Sequence, residues 1–99
     1  MSDELLASQA YAVVSVTSSA TPLVSAVNNK RNTLLLKNQG ATECFIAPDG
    51  NVTTANGRSL AASGGSAAFD VSDGLARFRW YAITASGTTS VSVIEGFEE

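Results

Sequence analysis

Hydrophobic and polar residues alternate over short runs along most of the chain, and Gly, Asn, Asp and Ser separate the runs. Alternation with a period of two is typical of β-strands, because successive side chains point to opposite faces of a sheet. The pattern predicts strands at Tyr11–Val16, Thr33–Asn38, Glu43–Ala47, Ser66–Val71, Arg77–Thr84 and Ser90–Glu95, with a weaker extended piece at Pro22–Val27. No run has helical periodicity over the length that a stable helix needs.

The residues between the runs are typical of tight turns. Asp49-Gly50 and Asn56-Gly57 predict turns with positive φ, which Gly and Asn adopt at little cost. The Ser-, Thr- and Ala-rich stretch Val52–Ala68 is predicted as a long connection, with Leu60 as its one bulky apolar residue. This spacing of short strands is typical of an antiparallel sandwich or a small barrel. Of the two we predict the all-β fold of a small antiparallel β-sandwich, jelly-roll-like, with six to eight short strands. Short strands admit several connection orders, so the pattern leaves the strand order open.

A length of 99 residues predicts a single domain. We expect residues 11–99 to form it and residues 1–10 to be a flexible N-terminal arm or a short helical turn. Leu5 and Leu6 lie on this acidic arm, where they are candidates for contact with a neighbouring protein. The alternative is a frayed terminus.

The run Arg77–Thr84 carries the largest concentration of aromatic and basic residues. As a strand it places Phe78, Trp80 and Ala82 on one face, which we interpret as the core face. Arg77, Arg79 and Tyr81 then share the other face, together with Ile83. Because Arg and Tyr are enriched in protein interfaces, this row and the exposed-type Tyr11 are candidate partner-binding residues. A solvated face whose arginines pair with Asp70 or Glu95 is the alternative.

Composition excludes most catalytic chemistry. The chain has no His and one Cys, so it lacks the usual base for a Ser or Cys nucleophile and the usual ligands of zinc. Asp49, Asp70 and Asp73 lie beside turns, where Asp bonds its own backbone. Cys44 is interpreted as a small buried apolar residue. We expect no enzyme activity, no catalytic residues, no cofactor and no bound metal.

Charge and hydropathy bear on partners and compartment. The formal net charge is −3 and the Lys and Arg residues form no dense run, so we expect no binding to nucleic acid. The N-terminus is acidic and no long apolar run follows, so we expect neither a secretory signal nor a membrane span. A lone cysteine fits synthesis in a reducing cytoplasm.

The chain from Asn29 onward resembles small virion proteins of tailed bacteriophages. The residues that carry this resemblance are Arg31-x-x-Leu34-Leu35-Leu36-x-Asn38, Cys44-Phe45-Ile46-Ala47, Val52-Thr53-x-x-Asn56-Gly57-x-x-Leu60, Gly64-Gly65-Ser66, Trp80-Tyr81-Ala82-Ile83, Ser86-Gly87-Thr88 and Val91-Ser92-Val93-Ile94-Glu95. They cover about two-thirds of the chain and include no catalytic signature.

The resemblance implies a β-sandwich structural protein of a phage particle. Its first form is a capsid decoration or cement protein on the head surface, made in the bacterial host cytoplasm and bound to the major capsid protein or other virion subunits. Such proteins are often trimers, so a homo-oligomer, with a trimer favoured, is implied. The alternatives are a receptor- or glycan-binding module of a head or tail fibre, with Tyr11 or Tyr81 against the sugar, and a minor head–tail connector or tail component.

Overall fold

A computed structural model describes residues 8–24, 30–70 and 75–97 and is almost entirely β-structure. Its strands are β1 (Ser8–Val16), β2 (Thr21–Pro22), β3 (Arg31–Asn38), β4 (Cys44–Ala47), β5 (Arg58–Leu60), β6 (Ser66–Asp70), β7 (Tyr81–Thr84) and β8 (Thr89–Phe97). A 3-10 turn, Leu75–Arg77, precedes β7. The predicted all-β class is confirmed.

The strands form two antiparallel sheets of four strands each. The front sheet has the order β1-β8-β3-β6 and the back sheet has the order β2-β7-β4-β5. The pairs β1–β8, β2–β7, β3–β6 and β4–β5 are those of one long hairpin with its turn between β4 and β5. The hairpin wraps over on itself, so that successive pairs alternate between the two sheets. The further pairs β3–β8 and β4–β7 close each sheet. This is the strand order of a jelly roll, which the sequence predicted in outline without fixing the connections.

The core lies between the two sheets and follows the period-two alternation. Leu34 and Leu36 of β3 point inward, and Cys44 and Ile46 of β4 meet them from the back sheet. The rings of Phe69 and Trp80 stack with centroids 4.3 Å apart. Burial of these alternate positions builds one apolar cluster between the sheets, and this burial favours the folded state.

Most predicted strands are confirmed, with boundaries that shift by one to three residues. The main correction concerns Arg77–Thr84. Its first residue ends the 3-10 turn and β7 begins only at Tyr81, so the alternation does not reach back to Phe78. Phe78 is 46% exposed, and its prediction as a core residue is wrong. Trp80 and Ala82 are buried as predicted.

The N-terminal segment differs in part from the predicted arm. β1 begins at Ser8, which pairs with Phe97, so residues 8–10 are in the front sheet. Leu5 and Leu6 lie outside the described residues, as do Val71 and the end of the Pro22–Val27 piece. The predicted connection from Val52 to Ala68 contains the short strand β5, whose Leu60 is buried in the core.

Turns form at Asp49-Gly50 and Asn56-Gly57 as predicted, but the positive φ predicted for them is wrong. Gly87 has a φ of 76°, as a tight turn between β7 and β8 requires. Gly50 and Gly57 do not have positive φ. Gly57 is needed for space instead, because a Cβ there would lie 2.8 Å from the Cβ of Phe45.

Candidate functional site

The outer face of the front sheet carries a row of apolar side chains in direct register. Tyr11 of β1 pairs with Ile94 of β8, Ile94 pairs with Leu35 of β3, and Leu35 pairs with Ala68 of β6. We call these four residues the apolar row. It crosses all four strands, so it is one continuous strip and not a set of scattered apolar residues.

The apolar row is open to solvent among the described residues. Tyr11 is 71% exposed and Leu35 is 40% exposed, and Val13 beside them is 70% exposed. Two shallow depressions run along the row, and Ile94 lines both of them. A contiguous exposed apolar strip with a polar rim is typical of a surface that another protein covers.

On β3 and β6, polar residues flank the apolar row on both sides, whereas on β1 its neighbour is the apolar Val13. One neighbouring row ends in Lys37 and Ser66, and the other ends in Thr33 and Asp70. Lys37 thus places a cation on one side of the apolar row and Asp70 places an anion on the other, and none of the four residues of the row is charged. This is the arrangement of an interface with an apolar centre and a polar rim.

Part of the outer face of the back sheet is covered by the chain itself. The loop of residues 48–57 returns across it, with Gly50 against the ring of Tyr81 and Gly57 against Phe45. Side chains of the loop hold its shape: the backbone N–H of Asn51 donates to Asp49 Oδ1 at 2.9 Å, and that of Thr53 donates to Asn56 Oδ1 at 2.7 Å. The back sheet thus has an internal cover where the front sheet has none among the described residues.

The four predicted contact residues that the structure describes do not form one site. Tyr11 lies on the front sheet, in the apolar row. Arg79 and Tyr81 lie together near the back sheet, with the Arg79 guanidinium 5.3 Å from the ring centroid of Tyr81. Arg77 ends the 3-10 turn and is half-buried. Leu5 and Leu6 lie outside the described residues.

Arg79 is used partly within the fold. Its Nε donates to the backbone carbonyl of Val24 at 3.3 Å, and its guanidinium covers one side of the half-buried Tyr81. These contacts join β7 to the segment after β2. Less of the Tyr81 side chain than of the Tyr11 side chain is therefore exposed to a partner. This difference makes the front sheet the better candidate surface.

Sequence reasoning missed Leu35 and Ile94 as surface residues. A signal for Leu35 was present: in Leu34-Leu35-Leu36 the alternation that buries the outer two must expose the middle one. Ile94 follows in the same way from Val91 and Val93, which are buried on the other side of β8.

Arg31 has a structural role that sequence reasoning also missed. Its side chain is buried, and its Nε donates to Glu95 Oε2 at 2.8 Å. Its Nη1 donates to the carbonyls of Ala76 and Phe78 at 3.2 and 3.1 Å. Arg31 therefore fixes the 3-10 turn against the ends of β3 and β8. Glu95, a predicted partner of Arg77 or Arg79, pairs with Arg31.

The other end of β3 has a buried polar group of a different kind, the side-chain amide of Asn38. Asn38 Nδ2 donates to the carbonyls of Thr42 and Leu60, at 2.8 and 3.1 Å. Its Oδ1 accepts from the hydroxyl of Thr89 at 2.7 Å and from the N–H of Gly40 at 3.1 Å. All four bonding positions of the amide are used, so the cost of burying it is offset. This network ties the loop after β3 to β5 and β8.

Cys44, the one cysteine of the chain, is buried. Burial raises the pKa of the Cys44 thiol to about 11, and the nearby Glu43 carboxylate adds to the effect, so the thiol is a poor nucleophile at neutral pH. The interpretation of Cys44 as a buried apolar residue is confirmed. In the described ranges no group of three or more His, Cys, Asp or Glu is placed to hold a metal ion. No helix there has the length and hydropathy to cross a membrane.

Comparisons with known proteins give little information about this chain. No protein family matches it, and no curated protein matches it. A solved structure described as "Bacillus endospore appendages form a novel family of disulfide-linked pili" is similar with 16% sequence identity and a TM-score of 0.44. The match covers 93% of this chain and 88% of that one. At this level the similarity gives no information on function.

Proposed function

We propose that this chain is a non-enzymatic structural protein that attaches to other protein subunits through the outer face of its front sheet. The observation that carries the proposal is the apolar row: four residues in register, exposed or half-buried, on a sheet whose counterpart is partly covered by the loop 48–57. Leaving such a strip in water is unfavourable, at about 25 cal/mol for each Å² of apolar surface, so covering it stabilises a complex.

The resemblance to tailed-phage virion proteins is our reason for proposing a specific partner for this surface. We propose a capsid decoration protein on the phage head, with the apolar row against the major capsid protein. Binding to assembled subunits, but not to separate ones, lowers the free energy of the assembled shell. Leu5, Leu6, Arg77, Arg79 and Tyr81 are proposed as additional contacts. The trimer that the resemblance implies stays a prediction.

The first test is the number of copies in purified virions, measured by quantitative mass spectrometry against the major capsid protein. A copy number of the same order as that of the capsid protein supports decoration. A handful of copies favours the connector or fibre alternatives, and absence from the particle contradicts a virion protein altogether.

The second test asks whether the apolar row makes the contact. Capsids without the protein are titrated with the wild type, with Leu35→Asp and with the matched control Ser59→Asp, which places the same charge on the exposed β5 of the back sheet. We expect Leu35→Asp to weaken binding by at least about tenfold, because it buries an unpaired charge in the contact. Equal loss in both variants, or none in either, contradicts the assignment to the front sheet.

A further test separates the N-terminal segment from the sheet. Deleting residues 1–7 leaves all of β1 in place, because pairing with β8 begins at Ser8. We expect the shortened chain to fold and to bind capsids more weakly if Leu5 and Leu6 are contacts. Unchanged binding removes these two residues from the proposed surface.

A further inference from the structure

β1 forms an unusually long and uncharged edge of the front sheet. It has nine residues, contains neither charge nor proline, and pairs with β8 on one side. Among the described residues no strand lies on its other side. Natural edge strands are usually short or protected by Lys, Pro or a bulge, because an open edge pairs with other chains. β1 has none of these features.

The direction of the backbone groups in β8 follows from one hydrogen bond. The N–H of Gln39 donates to the carbonyl of Ser90 at 2.7 Å, directly after the paired residues Asn38 and Val91. The backbone groups of Ser90 therefore point toward β3. Because these directions alternate along a strand, those of Val91 point the other way, toward β1.

The same alternation determines which backbone groups of β1 point toward its open edge. Val14 is the register partner of Val91, so its backbone groups point toward β8. Those of Val13 and Ser15 then point away from the sheet, toward the open edge. This edge thus presents donors and acceptors at alternate residues, as another strand needs them.

We propose that β1 pairs with β1 of a second copy of this chain, antiparallel and about a two-fold axis, to give a continuous eight-stranded sheet. A two-fold pair of identical edges is self-complementary, so one kind of surface is sufficient. The pairing does not depend on what covers the apolar row, and it extends that row across both copies.

Charge favours a second copy as the occupant of this edge. Each chain has a formal net charge of −3, but Ser8–Val16 contains no charged residue, so two copies meet here without opposed carboxylates. With Ala12 on the axis, Tyr11 of each copy lies opposite Val13 of the other. Aromatic and β-branched residues form favourable cross-strand pairs. The two side chains, 71% and 70% exposed in the single chain, cover each other.

The size of the contact sets its strength. Nine residues at about 3.4 Å each give an edge of roughly 30 Å, and a sheet layer is about 10 Å thick. The pair therefore buries roughly 600 Å² in total, against about 1,600 Å² in a standard stable interface. We expect a weak, concentration-dependent dimer in solution, which becomes strong where other contacts already hold two copies side by side.

Sedimentation equilibrium on the whole chain tests the proposal, over about 10 μM to 1 mM. The variant is Ser15→Pro, which removes an outward N–H from an edge strand, where proline is tolerated. Ser15→Ala is the matched control, since it changes the side chain and keeps the N–H. We expect the dimer fraction to rise with concentration for the wild type and Ser15→Ala, and Ser15→Pro to remain monomeric.

Three results would overturn the pairing: a wild type that is monomeric at every concentration, a Ser15→Pro variant that dimerises as the wild type does, or a trimer as the first oligomer. Amide hydrogen exchange on the wild type needs no variant. The N–H groups of Val13 and Ser15 must gain protection as concentration rises. Leu35→Asp should dimerise normally, so failure of the capsid contact and failure of the edge pairing are distinguishable.

Discussion

The outer faces of the two sheets carry similar residues but meet different surroundings. The back sheet has the half-buried residues Phe45, Tyr81 and Ile83 on its outer side, and the loop of residues 48–57 packs over the first two. The front sheet carries the apolar row, and no described part of the chain covers it. Hydropathy alone does not distinguish the two faces, because each has about the same number of large apolar residues. The path of the loop of residues 48–57 therefore determines which outer face is partly covered within the chain and which stays open to a partner.

The difference has a direct energetic meaning. On the back sheet the apolar contact is made during folding, so it contributes to the stability of the single chain. On the front sheet the same kind of contact is made only when another surface arrives, so it contributes to association. Substitutions on the two faces should therefore affect different measurements.

The largest effect is expected from adjacent leucines on β3. Leu34→Ala removes a core side chain and leaves a cavity, so we expect the free energy of unfolding to fall by about 2–5 kcal/mol. Leu35→Ala removes the same atoms from the exposed face and should cost less than about 1 kcal/mol. Urea denaturation followed by Trp80 fluorescence measures both. Equal losses would mean that something covers Leu35 in the isolated chain.

The second comparison adds a methyl group or two in place of removing them. In Gly57→Ala the new Cβ meets the Cβ of Phe45, so the loop must shift, and we expect a loss of about 1–3 kcal/mol. Ala68→Val enlarges an exposed residue of the apolar row and should change stability by no more than about 0.5 kcal/mol. Thermal unfolding distinguishes them. A stable Gly57→Ala variant would show that the loop is not fitted to the back sheet.

The smallest difference is expected between the two tyrosines. Tyr81→Ala removes contacts with Arg79 and with the loop at Gly50, and we expect a loss of about 1–2 kcal/mol. Tyr11→Ala should cost less than about 1 kcal/mol, since the Tyr11 side chain is 71% exposed in the single chain. Association should respond in the opposite order. If Tyr81→Ala weakens capsid binding more than Tyr11→Ala, the partner contacts the back sheet.

The strands and the core were largely predictable because alternation is a local property. Leu34, Leu36, Cys44 and Trp80 are buried where the period of two places them. Phe78 was not predictable in this way, because the 3-10 turn before β7 interrupts the period. This turn depends on Arg31, which is far away in the sequence. The Arg31 guanidinium donates hydrogen bonds to the carbonyls of Ala76 and Phe78.

The candidate surface was only half predictable. Tyr11 was recognised from its residue type, but its neighbours in the apolar row come from three other strands, and their register is a property of the folded sheets. The covering of Tyr81 depends on where the loop 48–57 runs, which no spacing along the chain encodes. Pattern identifies which residues face outward, but only the fold identifies which of them stay there uncovered.

The buried thiol of Cys44 is a built-in chemical probe of how often this domain opens. The thiol lies in the core of β4, and its pKa of about 11 keeps it protonated at any ordinary pH. A thiol-alkylating reagent therefore reacts mainly when β4 separates from its neighbours and the thiol regains its usual acidity. The labelling rate then follows the population of the opened form. Because Cys44 lies away from both the apolar row and the edge of β1, the same label can compare single chains with assembled ones without disturbing either contact.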